Sequence, residues 1–334
     1  MKAALYYHNT GNSKVECVLC PHNCKIKDQN RGLCGVRKNI GGKLFAENYE
    51  LVTALGFDPI EKKPLYHFFP GREILSIGSI GCNLKCFFCQ NWEISQATPD
   101  DIPSKHSYSV DKVVQLAVKQ KDNLGVAYTY NEPVIYYEYM RDIARKIKQE
   151  GMKNVVVTNG FINPEPLEDL IPYIDACSVD LKGFTDEFYK KYTGSRFQPI
   201  KNTLEKLGDS NLLLEIINLV IPTLNDDMGK FEQMLKWIRD HVGENTVLHI
   251  SRYHPGYKSS IPATPASTLK SFYALATQYL NYVYLGNILL EEGSNTYCHQ
   301  CQNLLVRRAG YSAETPGLDA DGSCLFCGNK VFIR

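Results

Sequence analysis

The sequence predicts an α/β fold: a parallel sheet curled into a full or partial barrel, with a cysteine-bearing extension at each end. Three observations predict it. From about residue 72, short β-branched runs alternate with amphipathic stretches, the pattern of repeated βαβ units. Polar and metal-ligating side chains recur just past the ends of successive β-branched runs, the edge where parallel α/β folds gather their active-site loops. All of the 12 cysteines except Cys177 fall into three tight groups, and two of these groups lie outside the alternating core.

Strands are expected over residues 74–78, 125–129, 154–158, 176–181, 212–220, 247–251 and 282–285. Helices are expected over 110–121, 133–150, 164–173, 186–192, 199–207, 226–241 and 265–279. Pro133, Pro164, Pro199 and Pro265 stand where first helical turns accept proline, and Gly151 supplies a C-terminal stop. Right-handed crossovers leave an open sheet or a barrel as alternatives. The strand ends favour the barrel. Cys82, Cys86 and Cys89 follow the first strand, Thr129 to Pro133 the second, and Asn159 and Gly160 the third. Asp180 to Gly183 follow the fourth, Pro222 to Asp226 the fifth, and Arg252 to Gly256 the sixth. The core is expected over residues 66–295, after a metal-binding region over 1–65 and before a zinc-ribbon-like domain over 296–334.

Composition narrows the class. A formal net charge of +1 gives no bulk attraction to nucleic acid or membrane, and 44% hydrophobic residues can bury a substantial core. No stretch reaches the ~20 apolar residues of a membrane span, and the N-terminus lacks a signal-peptide core. Tight C-x2-C and C-x3-C pairs suit metal better than disulfides, so a soluble protein of a reducing cytoplasm is expected. There is no P-loop and no dinucleotide fingerprint. The charged run Glu61-Lys62-Lys63 reads as a solvated loop.

The cysteine groups carry the chemistry. Structural zinc closes a shell of four ligands. Three thiolates at Cys82, Cys86 and Cys89 suit a cube of four irons and four sulfides, with one iron left open. The alternatives are a zinc knuckle or a cluster completed by Cys177, which sits in an expected strand. The N-terminal group, Cys17, Cys20, Cys24 and Cys34, can close its own shell around zinc or a second iron–sulfur cluster, with His22 as a bystander. The C-terminal group, Cys298, Cys301, Cys324 and Cys327, reads as two zinc knuckles, with rubredoxin-type iron as the alternative. Gly328 suits the tight turn around a sulfur ligand. A ribbon of this kind can bind a partner, or it can stabilise a segment too short to fold alone, which is the default reading.

The C-x3-C-x2-C triplet, with Phe88 just before its last cysteine, resembles the signature of the radical S-adenosylmethionine superfamily. The resemblance implies a [4Fe–4S] cluster whose open iron takes the amino and carboxylate groups of S-adenosyl-L-methionine. One electron then yields a 5′-deoxyadenosyl radical that abstracts hydrogen, while the protein supplies placement and electrostatics. Tyr130, Asn131 and Glu132 stand where many members carry Gly-Gly-Glu, so Glu132 is expected at the cofactor's ammonium. Asn159 matches the strand end that approaches the ribose. Asp180 and Lys182 resemble the Asp-x-Lys pair of the activase branch, whose lysine reaches the methionyl carboxylate, and His254 stands where that branch places a histidine.

The stretches Cys17 to Cys24, Arg31 to Arg37, Asp58 to His67, Cys89 to Gln96 and Val179 to Gly183 look like the AmmeMemoRadiSam system radical SAM enzymes, which are similar to pyruvate formate-lyase activating enzyme. That likeness implies a partial (β/α)6 barrel, Memo-family and AMMECR-family protein partners, and a low-potential donor such as flavodoxin or ferredoxin. The function expected is hydrogen abstraction, with glycyl-radical activation of a partner protein as one form. Modification of another protein, RNA or a small molecule is the alternative. A non-catalytic iron–sulfur or zinc scaffold is the competing reading from another class.

Overall fold

A computed structural model describes residues 1–102 and 107–332 of the chain. Residues 333–334 of the expected C-terminal domain lie outside the described residues. Six short strands come first: β1 (Lys2–Ala3), β2 (Tyr7–Gly11), β3 (Lys14–Cys17), β4 (Cys24–Ile26), β5 (Arg37–Ile40) and β6 (Lys43–Ala46). They form two small antiparallel sheets, ordered β1-β6-β5 and β2-β3-β4. Strand β7 (Ala54–Pro59) then enters the main sheet and pairs antiparallel with β8 (Glu73–Gly78).

From β8 the chain alternates as the periodicity predicts. A short helix α1 (Trp92–Ser95) and helix α2 (Val110–Lys119) lead to β9 (Asn123–Tyr128); α3 (Tyr137–Gln149) leads to β10 (Lys153–Thr158) and α4 (Pro164–Leu170) to β11 (Ala176–Asp180). Next, α5 (Asp186–Phe188) and α6 (Gln198–Gly208) precede β12 (Leu213–Val220). Helix α7 (Met228–His241) precedes β13 (Val247–Arg252), and α8 (Ala266–Ala276) precedes β14 (Tyr282–Gly286). Strands β8 to β14 are parallel neighbours in sequence order, so six strand-and-crossover units end on a seventh strand. The ladder stops at β7 on one side and β14 on the other, which leaves a partial barrel.

The local reasons are visible in the sequence. Helix α2 starts where the Ser109 hydroxyl accepts from the Lys112 N–H, and α7 where the Asp227 carboxylate accepts from the Lys230 N–H. Helix α7 begins two residues later than expected because Asp226 is used in the preceding turn, accepting from Thr223 N–H at 2.9 Å. The expected helix over 133–150 opens as a 3-10 turn, Pro133–Tyr136, and the one over 186–192 ends as a π turn, Tyr189–Thr193. Helix α3 buries Tyr137, Met140, Ile143, Ala144 and Ile147, one face at helical spacing. At Gly125, a Cβ would meet the Lys153 carbonyl oxygen at 1.9 Å, so the approach of β9 to β10 requires glycine there.

The segment after β7 is not the solvated loop expected. Glu61 and Lys63 are 2% exposed, and Lys63 Nζ pairs with Asp58 at 2.6 Å. Ile60, Leu65 and Phe68 pack with Ile74, Leu124, Ala127, Val155 and Ala176, so this segment fills the inside of the sheet near its lower end. The charge run was misleading because tertiary pairing reversed its burial.

Both extensions dock firmly. Arg37 and Glu138, each with a side chain 2% exposed, pair at 3.0 Å and tie β5 to α3. The C-terminal strands β15 (Thr296–Tyr297), β16 (Leu304–Ala309) and β17 (Ser312–Glu314) form a third small sheet. It reaches the barrel through buried Arg308, whose guanidinium donates to the Tyr66 carbonyl and the Thr296 hydroxyl at 2.7 Å each. Beneath it, the fully buried Glu215 of β12 accepts from the Tyr66 and His67 N–H groups and from His249 Nε2, at 3.0, 2.7 and 2.6 Å. No helix among the described residues is long and apolar enough to cross a membrane.

Removing Glu215 would strip three buried donors of their acceptor. We expect Glu215→Ala to cost about 3–5 kcal/mol in urea denaturation of the metal-free chain, and Glu215→Gln, which keeps the shape, to cost less.

Candidate active site

The loop after β8 carries Cys82, Cys86 and Cys89, and it is held by amides. Asn131, 7% exposed, accepts from the Ser79 N–H and donates to the Gly81 carbonyl, both at 2.9 Å. Asn83 Nδ2 donates to the Phe161 carbonyl at 2.8 Å, and Asn159 Nδ2 donates to Asn83 Oδ1 at 2.8 Å. Asn91 and Gln90 donate to the carbonyls of Tyr130 and His254 at 2.6 and 2.9 Å, and Lys258 N–H donates to the Phe87 carbonyl at 3.0 Å. The ends of β9, β10 and β13 are thereby bound to one cysteine loop.

Gly81, at φ +84°, lets that loop press against its neighbour: a Cβ there would lie 2.6 Å from the Cys34 carbonyl oxygen. The Leu84 N–H points at Cys82 Sγ at 3.3 Å, and Asn159 Nδ2 lies 3.8 Å from the same sulfur. Burial, with Glu132 and the other two cysteines nearby, pushes the Cys82 thiol well up. Burial pushes Cys86 up to about 12, against the opposing pull of Lys182. Glu132 thus acts on Cys82, and Lys182 on Cys86.

Glu132 is 4% exposed, and its carboxylate accepts from Val134 N–H (3.0 Å), the Thr158 hydroxyl (2.6 Å) and Asn159 N–H (2.8 Å). Burial outweighs these bonds and pushes it up to about 7. A carboxylate has roughly four acceptor sites, so one remains for a further donor. Lys182 Nζ pairs with Asp180 at 2.7 Å. Burial opposes its charge, but Asp180 and Cys86 outweigh burial and hold the ammonium above its ordinary range. Two of its three donor positions have no protein partner in this geometry.

Other expected residues sit differently. Tyr130, at φ +69°, turns its hydroxyl to Asp58 at 2.6 Å. The His254 ring is exposed, with Nε2 3.5 Å from the Asn287 carbonyl, and only its backbone meets the cysteine loop. Sequence reasoning missed Asn83, Gln90, Asn91 and Asp58. The first three flank the cysteines and could have been noticed; Asp58 opens one of the stretches that carry the family likeness, but nothing there marked its role.

The remaining cysteine groups differ from each other. Cys298 and Cys327 lie 3.6 Å apart, Cys301 and Cys324 also 3.6 Å, and all four sulfurs lie within 4.8 Å of one another. Backbone and side-chain hydrogen bonds from Asn303 pull Cys301 down to about 6, toward the thiolate a metal needs. Gln302 and Gly328, at φ +59° and +74°, make the matching turn in each knuckle. This group can bind a metal ion. The N-terminal four instead surround a small cavity.

These features define a class: a partial α/β barrel that presents three thiols and an opposed acid–base pair at its C-terminal strand edge. The sequence profile of the Radical SAM superfamily matches residues 76–238. An uncharacterized protein of Methanocaldococcus jannaschii is 40% identical over 336 aligned residues, covering 100% of this chain and 99% of its own. Pyruvate formate-lyase 1-activating enzyme of Escherichia coli K12 is 24% identical over 182 residues, 52% of this chain and 71% of its own. Streptococcus suis SuiB bound to S-adenosylmethionine is 14% identical, with a TM-score of 0.53 over 72% of this chain and 56% of its own, and shares the fold. The chain belongs to the radical SAM superfamily, whose members are enzymes, and which implies a [4Fe–4S] cluster and S-adenosylmethionine.

The residues present fit that group. Cys177 lies in the body of β11, not in a loop at the strand edge, and burial pushes its thiol up to about 12. Three thiols without a fourth leave one iron open. The position of Gly81 predicts a sharp test. We expect Gly81→Ala to lower iron uptake at the triplet after anaerobic reconstitution. Gly11→Ala, at a similar φ of +83° but with nothing within 4 Å, should load normally.

Proposed function

We propose that this chain activates a partner polypeptide by hydrogen abstraction, in the manner of a glycyl-radical activating enzyme, using S-adenosylmethionine held between Glu132 and Lys182. The carrying observation is that both side chains bear on the triplet: Glu132 acts on the Cys82 thiol, and Lys182, 2.7 Å from Asp180, acts on Cys86. An amino-acid head group is zwitterionic. The one acceptor site left on Glu132 suits its ammonium, and the spare donors of Lys182 suit its carboxylate. Asn159, tied to Asn83 and Cys82, stands where the ribose would lie, and Asn131 fixes the loop. Cys82, Cys86 and Cys89 would hold a [4Fe–4S] cluster, which would supply the one-electron chemistry that the bound cofactor requires.

The likeness to an activating enzyme and the Asp180–Lys182 pair support a protein substrate. The loop bearing His254 and the exposed Trp92, stacked on Tyr257 at 5.1 Å, form an open rim beside the triplet, where a backbone segment can enter. Memo-family and AMMECR-family proteins are the proposed company, with flavodoxin or ferredoxin as electron donor and zinc in the C-terminal knuckles.

The direct test is anaerobic. Reconstituted protein with dithionite and S-adenosylmethionine should release 5′-deoxyadenosine, and Cys86→Ala should abolish it. An electron paramagnetic resonance doublet on an added partner would identify a glycyl radical, and its absence on every candidate partner would move the substrate elsewhere. Because Glu132 is pushed up to about 7, it gains a proton as pH falls through that value and can no longer pair with an ammonium. We expect cofactor affinity to fall between pH 8 and pH 6, by at most about tenfold per unit for one proton, and Glu132→Gln to bind weakly with a flat profile. Lys182→Ala should weaken binding by about tenfold or more.

A further inference from the structure

Cys17, Cys20, Cys24 and Cys34 line a single enclosed cavity together with His22 and Arg37. Its free space is about 10 Å³. A lone zinc ion gathers four thiolates closely. It draws its sulfurs to ~2.3 Å, and so to about 3.8 Å from one another. The C-terminal cysteines already have that geometry, with 3.6 Å separations and all four sulfurs within 4.8 Å. Among the described residues they are the only three or more cysteine, histidine or carboxylate ligands that close together. The N-terminal four share a wall-lined space yet stand wider apart. The triplet stands wider apart too, and it is the site the family fills with a cube of irons, which spreads its thiolates farther than one ion does.

A second observation calls for an anionic metal–thiolate group in the cavity, whichever metal it holds. Arg37 is 1% exposed and lines this cavity. Its two terminal nitrogens are used by Glu138 and the Leu5 carbonyl, at 2.6 to 3.0 Å, while its Nε has no partner. A buried N–H without an acceptor is costly. An anionic sulfur-rich group in the cavity would accept from it and face a matching positive charge. The cavity also adjoins the triplet loop. The His22 ring nitrogen donates to the Asn83 carbonyl at 2.7 Å, and the Cys34 carbonyl is the atom that excludes a side chain at Gly81. Both contacts flank Cys82.

We propose that Cys17, Cys20, Cys24 and Cys34 hold a second, multi-iron iron–sulfur cluster, set directly against the loop of the first, and not a single zinc ion. The proposal is independent of which substrate the enzyme acts on. It is tested on the full chain, purified and reconstituted anaerobically, by iron, sulfide and zinc analysis with Mössbauer spectroscopy. About eight iron, eight sulfide and one zinc per chain are expected. About four iron and two zinc would overturn it. Cys82→Ala/Cys86→Ala/Cys89→Ala should keep about four iron and four sulfide with a reducible paramagnetic signal. Zinc or no metal at the N-terminal thiols of that variant would overturn the proposal while leaving the triplet chemistry intact. In the wild-type chain, the two reduced clusters should broaden each other's resonance.

Discussion

Three thiolates cannot complete the shell of a metal centre that wants four ligands, and the rest of this molecule is arranged around that shortfall. The loop bearing Cys82, Cys86 and Cys89 is latched at several points by side-chain amides: Asn131 on its leading edge, Asn83 and Asn159 across it, and Asn91 and Gln90 on its far side. The latches run to the ends of three strands, β9, β10 and β13. A parallel sheet makes this economical, because every strand delivers its loop to the same edge. The remaining core cysteine, Cys177, lies buried in the body of β11 and not in the loop.

Electrostatics then gives the opening a direction. Glu132 lies on the Cys82 side, and Lys182 with Asp180 on the Cys86 side. Neither is a free surface charge. Glu132 is buried among three donors, and Lys182 is oriented by Asp180. Under the proposed reading, a ligand with adjacent positive and negative groups would be received in one orientation, with its ordering entropy met in advance by the fold. Asp58 extends the same logic outward. It gathers Lys62, Lys63 and the Tyr130 hydroxyl at 2.6 to 2.7 Å, so the antiparallel edge strand β7 supports the loop that carries Glu132.

Strands β8 to β14 were legible because buried parallel strands read as continuous β-branched runs, and their positions came out within a few residues. The six strands before β7 were not legible. They run two to five residues with mixed polarity, and pairing partners that a single sequence does not display define them. Strand β7 was hidden for a further reason: it exposes Leu55 and Phe57, so its alternation has no polar face to mark it. Within the site, ligand types and spacing singled out the triplet, and the family resemblance singled out the Asp180–Lys182 pair. The amide latches could not be read, since Asn83 and Asn159 meet only across 76 residues of chain. Nor could spacing separate the two outer cysteine groups, whose difference is one of sulfur separation in space.

The central claim is that one iron of the triplet's cluster is open and takes the amino-acid end of S-adenosylmethionine between Glu132 and Lys182. The most direct measurement is electron–nuclear double resonance on the reduced cluster with cofactor isotopically labelled at its amino nitrogen. The account predicts a resolved nitrogen coupling that weakens or disappears in Glu132→Gln. A fully reduced cluster with the cofactor bound and no nitrogen coupling would contradict it.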